Sequence, residues 1–315
     1  MKKESIIFTI VVCLHDSFEF LEEQLTRIVA QKDIDIGVEV IIIDNASSPE
    51  VGVSMRKLVG QFEPLVRYII EPRLGAQFAR NRGIVESRGE CLLYLDDDAL
   101  PSKGWLTAMA KCYTENPNRL IQGRITLLYK EARPHWITPH LEMFLSKIDF
   151  GHEERPIPPH LVLANMGIPR IAFELAGGWE EDIGRKGDLL LSGEDFELAS
   201  RVAEKTHMQC WYCGGANVEH VVKSNRYEKG FHLERSYWQG VTMGYMRKKF
   251  PHTRRYSRGV LSQLKIGLAS LVLWFIHSML RDNESFTYKC RFRQVIGYVY
   301  GCCVFNGLNA EGVST

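Results

Sequence analysis

The stretch CLLYLDDDALP, residues 91–101, places an apolar run directly before three consecutive aspartates and a turn residue, Pro101. The apolar half has the length and composition of a buried strand. Three adjacent carboxylates repel one another, and a bound cation offsets that repulsion. Because hard oxygen ligands suit Mg2+ and Mn2+, the stretch predicts a divalent-cation site. Alternation along a strand would turn Asp96 and Asp98 to one side and Asp97 to the other. A solvated acidic turn is the alternative.

Apolar strand patterns alternate with helical patterns along the first part of the chain. This order predicts an α/β fold, with a mostly parallel, Rossmann-like sheet flanked by helices. Ligands of such sheets bind at the carboxyl ends of the strands, so Asp44 and Asp96 are expected to face one crevice. The predicted strands are 6–14, 38–44, 66–70 and 90–96, and the predicted helices are 18–31, 75–87 and 103–115.

The first predicted helix has an apolar face and a capping residue before it. Asp16 or Ser17 is expected to cap it. The residues predicted to be buried are Phe20, Leu21, Leu25 and Ile28.

Composition and motifs exclude several classes of protein. The formal net charge of +1 argues against an electrostatic nucleic-acid binder. No GxGxxG follows the first strand and no GxxxxGKS or GxxxxGKT occurs, so the common dinucleotide fingerprint and the P-loop are absent. The eight cysteines lack a disulfide spacing, which favours reduced thiols and a cytoplasmic location. Cys210 and Cys213 form a single CxxC, which we interpret as core.

The amino terminus superficially resembles a signal peptide. Lys2 and Lys3 precede the apolar run 6–14. Glu4 and the lack of a small-residue cleavage site argue against that interpretation. We therefore predict that the run is the first strand.

Six blocks of the sequence, spread over roughly residues 5 to 245, resemble glycosyltransferase family 2, the inverting nucleotide-sugar enzymes of the GT-A fold. Each match is weak alone, but their order and spacing are specific. The blocks are FTIVVCLHDS (8–17), VIIIDNASS (40–48), the segment 71–101 that ends in YLDDDALP, NMGIPRIAFELAGGWEEDIG (165–184), SGEDFELASRV (192–202) and ANVEH (216–220).

The resemblance implies a donor side and a divalent cation, Mn2+ or Mg2+. Asp44 would contact the nucleotide base, Asp96 the ribose and metal, and Asp98 the metal that bridges the diphosphate. His220 would reach the metal or the diphosphate, although a structural histidine is the alternative. The donor-binding set is Asp44, Arg80, Asp96 and Asp97, and the metal set is Asp98, Asp96 and His220.

On the acceptor side the resemblance makes Asp195 the general base. A carboxylate can take the proton of the attacking hydroxyl, and a helix start favours its charged form. An aspartate at that position also often only caps the helix. Glu194 and Trp179 are predicted to bind the acceptor; Trp179 follows two glycines, and it would either stack on a sugar or belong to the core.

Two loops depart from the family pattern. Cys13-Leu14-His15-Asp16 stands where the family often has Pro-Thr-Tyr-Asn, and Ala46-Ser47-Ser48-Pro49 where it often has Gly-Ser-Thr-Asp. Both loops touch base and ribose in the family. The nucleotide therefore stays open, with a UDP-sugar as the expected donor.

The chain is predicted to divide into a catalytic domain, 1–246, and a tail, 247–315. The catalytic domain has a donor half (1–125) and an acceptor half (126–246) with an irregular, proline-rich excursion at 130–160. A helix is expected at 192–205 with Ser192 as its cap, and a strand at 208–213 that ends before residues 218–220.

The tail combines a basic segment with two apolar stretches. Residues 247–258 hold six Arg or Lys. The stretches 266–280 and 294–305 are shorter than the roughly 20 residues that span a bilayer, so we predict a helical pair. Peripheral contact of 247–308 with the inner face of the plasma membrane is one expectation; packing on the catalytic domain or on a second subunit is the other.

The function predicted is a metal-dependent inverting glycosyltransferase. It would move a sugar from a nucleoside-diphosphate sugar to the hydroxyl of a carbohydrate or lipid-linked acceptor, in polysaccharide or glycolipid synthesis. A nucleotidyltransferase on a related sheet is an alternative, but it leaves Glu194 and Asp195 unexplained. A non-catalytic nucleotide- or carbohydrate-binding module is another, against which the intact carboxylates argue.

Overall fold

The computed structural model describes residues 6–31, 36–184 and 190–306, which form nine strands and ten α-helices. The strands are β1 Ile6–Leu14, β2 Gly37–Asn45, β3 Val66–Glu71, β4 Cys91–Leu95, β5 Ala99–Pro101, β6 Arg119–Tyr129, β7 Arg155–Ile157, β8 Met166–Pro169 and β9 Gln209–Val222. The helices are α1 Leu21–Val29, α2 Pro49–Val59, α3 Ala76–Glu86, α4 Trp105–Glu115, α5 Pro139–Glu142, α6 Arg170–Ala176, α7 Glu194–Thr206, α8 Lys229–Lys249, α9 Val260–Leu280 and α10 Glu284–Cys303.

Two compact units make up the chain. The first contains Met1–Thr126, Ile148–Glu181 and Arg201–Val221, and the second contains Leu127–Lys147, Asp182–Ser200 and Val222–Thr315. This division differs from the predicted one, whose boundary after residue 246 falls inside α8. Two predictions fall partly outside the described residues: the signal-peptide-like start, at residues 2–4, and the end of the predicted membrane segment, at residues 307–308.

The strands form one sheet in the order β3-β2-β1-β4-β8-β6-β9-β5, with β7 also paired to β9. Strands β1 to β4 pair in parallel, whereas β8 runs antiparallel to both β4 and β6, and β9 antiparallel to β5 and β7. The predicted α/β fold is confirmed, with a refinement: only its first half is parallel. The antiparallel half includes the three-residue strands Ala99–Pro101 and Arg155–Ile157, which give little periodicity to detect.

The four predicted parallel strands are all present, and their apolar runs are buried. In β2 every residue from Val40 to Asn45 is buried, as expected for a parallel strand with both faces covered. The strands register so that Leu14 lies beside Asp44 and Val12 beside Leu95. Their carboxyl ends therefore form one edge of the sheet.

Helix α1 has the predicted apolar face but not the predicted cap. Its apolar face is buried as predicted, at Phe20, Leu21, Leu25 and Ile28. The cap position is Phe20, without a side-chain cap. Asp16 instead accepts a hydrogen bond from the backbone N of Ser48 at 2.7 Å, and its own N donates to Ser47 Oγ at 2.9 Å. Asp16 thus joins the loop after β1 to the loop after β2.

Strand β9 is longer than predicted. It does not end at residue 213 but runs unbroken to Val222, so His220 lies within a strand rather than after one. Helix α7 begins at Glu194, and Ser192 is not its cap: the Ser192 hydroxyl donates to Gln239 Oε1.

The predicted helical pair at the end of the chain is confirmed: it consists of α9 and α10, and α10 packs on the preceding helix α8. Glycines allow α8 and α10 to pack with their backbones in contact, because a Cβ at Gly240, Gly244, Gly297 or Gly301 would collide with a backbone oxygen of the other helix.

Among the described residues, α9 is the one helix long and apolar enough to cross a membrane, with 21 residues and a mean hydropathy of 1.5. The expectation that the apolar stretch is too short was wrong. The helix begins at Val260 and not at residue 266, and Lys265 is tolerated within it.

Candidate active site

The three aspartates lie in the turn between β4 and β5. Strand β4 ends at Leu95, β5 begins at Ala99, and the N–H of Ala99 donates to the backbone oxygen of Asp96 at 3.1 Å. Strand alternation, on which the grouping of Asp96 with Asp98 was based, therefore does not apply here. The turn itself brings the two carboxylates to the same side.

A buried side chain holds this turn. Gln24, on α1, is fully buried and donates its side-chain amide to the backbone oxygens of Asp96 (2.7 Å) and Ala99 (2.6 Å). Val221 on β9 adds a backbone hydrogen bond to the oxygen of Asp98 at 2.9 Å. The backbone of the turn is thus fixed from two directions.

His220 completes a cluster with Asp96 and Asp98. The antiparallel pairing of β5 with β9 sets Ala99 opposite His220. His220 Nε2 lies 3.1 Å from Asp98 Oδ1 and 4.0 Å from Asp96 Oδ2. One potential ligand atom from each residue lies within 4.8 Å of the others. Asp97 belongs to the same turn but not to this group.

The cluster fits a divalent cation. Two carboxylates and one imidazole are ligands that Mn2+ accepts, and the carboxylates also suit Mg2+. The side chain of Asp96 is 32% exposed, against 10% for Asp98 and 13% for His220. An ion held here would therefore be reached from the Asp96 side.

Asp44, the residue before the last of β2, lies at the same edge of the sheet as Asp96. The residue is 3% exposed, and its carboxylate accepts hydrogen bonds from the N–H of Ser47, at 3.1 Å, and from the hydroxyl of Tyr68. Burial and the neighbouring Asp44 carboxylate raise the pKa of Tyr68, which keeps the phenol a donor. Each carboxylate oxygen retains a second lone pair, and contact with a base stays a prediction.

Arg80 lies on α3 and is 8% exposed. Its guanidinium donates to Gln77 Oε1 at 2.9 Å and lies over the ring of Trp179 at 5.3 Å. Burial raises the pKa of the Cys13 thiol to about 12, while Arg80 lowers it and Asp96 raises it. Both charges therefore act on Cys13, near the end of β1; a donor-binding role for Arg80 stays a prediction.

Trp179 is held inside its loop. Only 3% of the residue is exposed, and its indole Nε1 donates to Tyr94 Oη at 3.2 Å. The side-chain amide of Asn81 accepts a hydrogen bond from the backbone N–H of Trp179 (2.8 Å) and donates one to the backbone oxygen of Trp179 (3.0 Å). A sugar cannot stack on the ring while the loop has this conformation, so the predicted acceptor contact would require the loop to open.

Arg201 fixes the backbone just before Trp179. Its guanidinium is 7% exposed and donates to the carbonyl oxygens of Ala176 (2.6 Å), Gly177 (3.2 Å) and Gly178 (2.7 Å). The planar fork of arginine suits several oxygens at once. The loop is therefore built around one buried cation.

In the second unit, Glu194 and Asp195 form the first turn of α7. Glu194 is 8% exposed, whereas Asp195 is only half-buried. Asp195 Oδ1 accepts the N–H of Phe196 at 2.8 Å. This bond and the helix N-terminus both favour the ionised carboxylate.

The residues around this helix start constrain it closely. Gly193 has a φ of +93°, and a Cβ there would lie 2.7 Å from Met246 Sδ and 2.8 Å from Thr242 Cγ2. Glu197, fully buried on α7, accepts a hydrogen bond at Oε1 from His252 Nε2 at 2.9 Å. Helix α8 and the turn that follows it thus hold the first turn of α7.

Sequence reasoning missed Gln24, Arg201 and Glu197. Gln24 was detectable in principle, since it lies on the apolar face of α1 between Leu21 and Leu25, where an uncharged polar residue needs a buried partner. Arg201 and Glu197 lie in a helix rich in charges, and nothing in the sequence separates them from its exposed residues.

The family model for glycosyl transferase family 2 matches residues 9–174, more than half of the chain. The chain belongs to glycosyltransferase family 2. It is therefore an enzyme of the glycosyltransferase class. The matched range includes Asp44, Arg80 and the aspartate turn.

Relatives and solved structures agree with this family. The glucosyl-dolichyl phosphate glucuronosyltransferase of Haloferax volcanii is 23% identical over 268 residues, 82% of this chain and 83% of that protein. The mannosyltransferase PcManGT from Pyrobaculum calidifontis, solved with GDP-Man and Mn2+, superposes with a TM-score of 0.60 at 14% identity, over 95% of this chain and 88% of that one.

A further solved structure, GalNAc-T7 with UDP, GalNAc and Mn2+, gives a TM-score of 0.58 at 13% identity over 79% of this chain. This chain spans about half of that longer protein, 52%. The two likenesses confirm the predicted GT-A type fold.

Proposed function

We propose that this family 2 enzyme depends on a divalent cation and transfers a sugar, with inversion, from a nucleoside-diphosphate sugar to an acceptor hydroxyl. The observation that carries the proposal is the cluster of Asp96, Asp98 and His220 in a turn fixed by Gln24 and β9. Two carboxylates that share a site with an imidazole at 3.1 Å have the ligand types and spacing for one ion.

The cation would be held by Asp98, Asp96 and His220, and when bound it supplies charge that stabilises a departing diphosphate. Asp44 and the loop tied by Asp16 would border the nucleotide at the carboxyl edge of the parallel strands. Arg80 adds a positive charge near the same edge. Asp97 would contact the donor from the same turn.

Asp195 is the proposed general base. Its carboxylate is half-exposed and stabilised in the ionised form by the Phe196 N–H and the helix start. It would accept the proton of the acceptor hydroxyl as that oxygen attacks the anomeric carbon. One direct displacement of the diphosphate inverts that carbon. Glu194, beside it, would contact the acceptor.

The donor is proposed to be a UDP- or GDP-sugar. UDP and GDP-Man are the nucleotides in the two similar structures. The name of the Haloferax volcanii relative specifies glucosyl-dolichyl phosphate, which favours a lipid-linked acceptor here over a soluble one. Synthesis of a glycolipid or of a polysaccharide precursor follows from this acceptor class.

Thermal stability with UDP, GDP, dTDP and CDP, each with and without Mn2+ or Mg2+, tests the site. A nucleotide at about 100 times its dissociation constant stabilises by about 2.7 kcal/mol. We expect one nucleotide to raise the melting temperature only with metal. Asp98→Asn should abolish that rise, whereas Asp282→Asn, an exposed aspartate of the second unit, should retain it. The proposal is contradicted if no combination of nucleotide and metal raises the melting temperature of the wild type.

The products of turnover test the chemistry. Asp195→Asn should keep the metal-dependent nucleotide binding and lose transfer by at least about 100-fold. Release of nucleoside diphosphate identifies sugar transfer, whereas pyrophosphate would identify nucleotidyl transfer and overturn the proposal.

A further inference from the structure

Helix α9 has its polar and apolar residues in the reverse of the usual arrangement. The buried stripe of the helix consists of Gln263 (7% exposed), Gly267 and Ser270 (3%). The helix of a soluble protein normally buries its large apolar side chains and exposes its polar ones. This helix buries small and polar residues against α10 and exposes its leucines.

The exposed side of α9 is almost entirely apolar. Leu268 and Phe275 are 67% and 66% exposed, and Lys265 is the one fully charged residue on the helix. An apolar area of this extent marks an interaction surface rather than ordinary solvent-exposed surface. Its members are Val260, Leu261, Leu264, Leu268, Leu271, Val272, Phe275, Ile276, Met279 and Leu280; we call them the apolar face.

Positive charges precede the apolar face. Arg254 and Arg258 are exposed just before the helix, whereas just after it the exposed Arg281 is followed by the exposed Asp282 and Glu284. Neither Asp nor Glu occurs between Val260 and Leu280. Cations beside an apolar surface match an anionic lipid layer, since each Lys or Arg near such a layer strengthens binding to it.

The packing of α10 decides how α9 can meet a bilayer. The two helices are antiparallel: Gly267 lies against Val295, and the Lys289 ammonium lies 5.5 Å from the Trp274 ring. Arg293, which is exposed, lies between those two contacts on α10. If α9 crossed a membrane, this cation would lie near the bilayer centre, where a charged side chain is strongly disfavoured.

We propose that α9 lies flat in one leaflet of an anionic membrane, with the apolar face in the acyl boundary and α10 on the aqueous side. A 21-residue helix then presents about 31 Å of apolar surface along the membrane plane. In this orientation the exposed leucines leave water, while Lys289 and Arg293 stay in it. The basic residues before the helix meet the phosphate groups. This inference does not depend on the proposed reaction.

Vesicle sedimentation of the full chain, without donor or metal, tests this inference. We expect binding to phosphatidylcholine vesicles that contain phosphatidylglycerol, and weaker binding in high salt. The double variant Leu268→Ser/Phe275→Ser should bind at least about tenfold less. Its matched control is Val53→Ser/Val85→Ser, on α2 and α3, where the two valines are 70% and 78% exposed.

Two outcomes overturn membrane binding. One is wild-type protein that stays in the supernatant with anionic vesicles at low salt. The other is wild-type protein that does not bind vesicles but is a dimer by light scattering, together with a double variant that is a monomer. This result would assign the apolar face to a second copy of the chain.

Depth measurements separate the flat orientation from a crossing one. Leu264, Leu271 and Ser278 follow one another along the same side of α9. Each is replaced in turn by cysteine in a Cys303→Ser background, since Cys303 is exposed, and labelled with an environment-sensitive dye. Equal quenching by lipids spin-labelled at one depth supports the flat orientation. A label at position 271 much deeper than those at 264 and 278 contradicts it.

Discussion

The side-chain amide of Gln24 lies 2.7 Å from the backbone oxygen of Asp96, although 72 positions separate the two residues in the sequence. The same nitrogen donates to Ala99 at 2.6 Å. One buried amide on α1 therefore sets the turn that carries two of the three proposed metal ligands. Metal affinity and fold stability should both depend on a residue that touches no ligand.

Gln24→Leu should lower the free energy of unfolding by about 1–3 kcal/mol, because the backbone oxygens of Asp96 and Ala99 each lose one buried donor. It should also weaken Mn2+-dependent nucleotide binding, since the turn is free to shift. Urea unfolding and nucleotide titration measure the two effects. Glu22→Gln, on the exposed side of α1, is the control, and equal metal affinity in both variants would show that Gln24 does not position the turn.

Gly193→Ala should reduce the turnover number more than it changes the KM for the donor. The φ of +93° disfavours alanine by about 1–2 kcal/mol, and the new methyl group would press on Met246 and Thr242. The start of α7, with Glu194 and Asp195, would have to move. Steady-state kinetics check this, with Gly230→Ala as the control, since a Cβ there meets nothing within 4 Å. Unchanged kinetics in Gly193→Ala would contradict the importance of this turn.

Arg201→Lys should destabilise the loop at 176–179 although it keeps the positive charge. A single ammonium cannot satisfy three carbonyl oxygens in the geometry of the guanidinium fork. We expect a loss of about 1–3 kcal/mol in unfolding free energy, and faster proteolysis in this loop. Arg82→Lys, at a 41% exposed side chain, provides the comparison. If the two variants lost the same free energy of unfolding, the three carbonyl contacts of Arg201 would not explain the loss.

His140 should make the protein less stable in acid. Its Nε2 is buried, with no hydrogen-bond partner among the described residues, and burial together with Arg291 lowers its pKa from 6.5 to about 4. Between those values the unfolded chain binds a proton that the folded chain does not, so stability falls as the pH falls.

Replacing His140 by Gln should recover stability on the order of 1 kcal/mol near pH 4.5, after allowance for the partial exposure of the ring. Thermal or urea unfolding at pH 7 and pH 4.5 measures the difference. His135→Gln makes the same change at an exposed residue. A pH dependence that is identical in both variants would show that His140 does not control it.

Much of the donor half could be predicted from local pattern. Continuous apolar runs such as 38–44 mark buried parallel strands, and the aspartates that follow them mark a ligand edge. The antiparallel half could not be predicted in the same way. Strand β9 continues through Gly214 and Gly215, and a Cβ at Gly214 would collide with the backbone at His152, which explains the glycine at that position.

The sequence by itself determined the α/β alternation, the acidic turn after β4 and the family, because each is a local pattern of residue types in a fixed order. The tertiary structure decided which of those residues act together. His220 joins Asp96 and Asp98 only because β5 pairs with β9. The exposure of the leucines of α9 likewise depends on which side of the helix packs on α10. Periodicity shows that a helix has two faces, and only long-range packing selects the one that is buried.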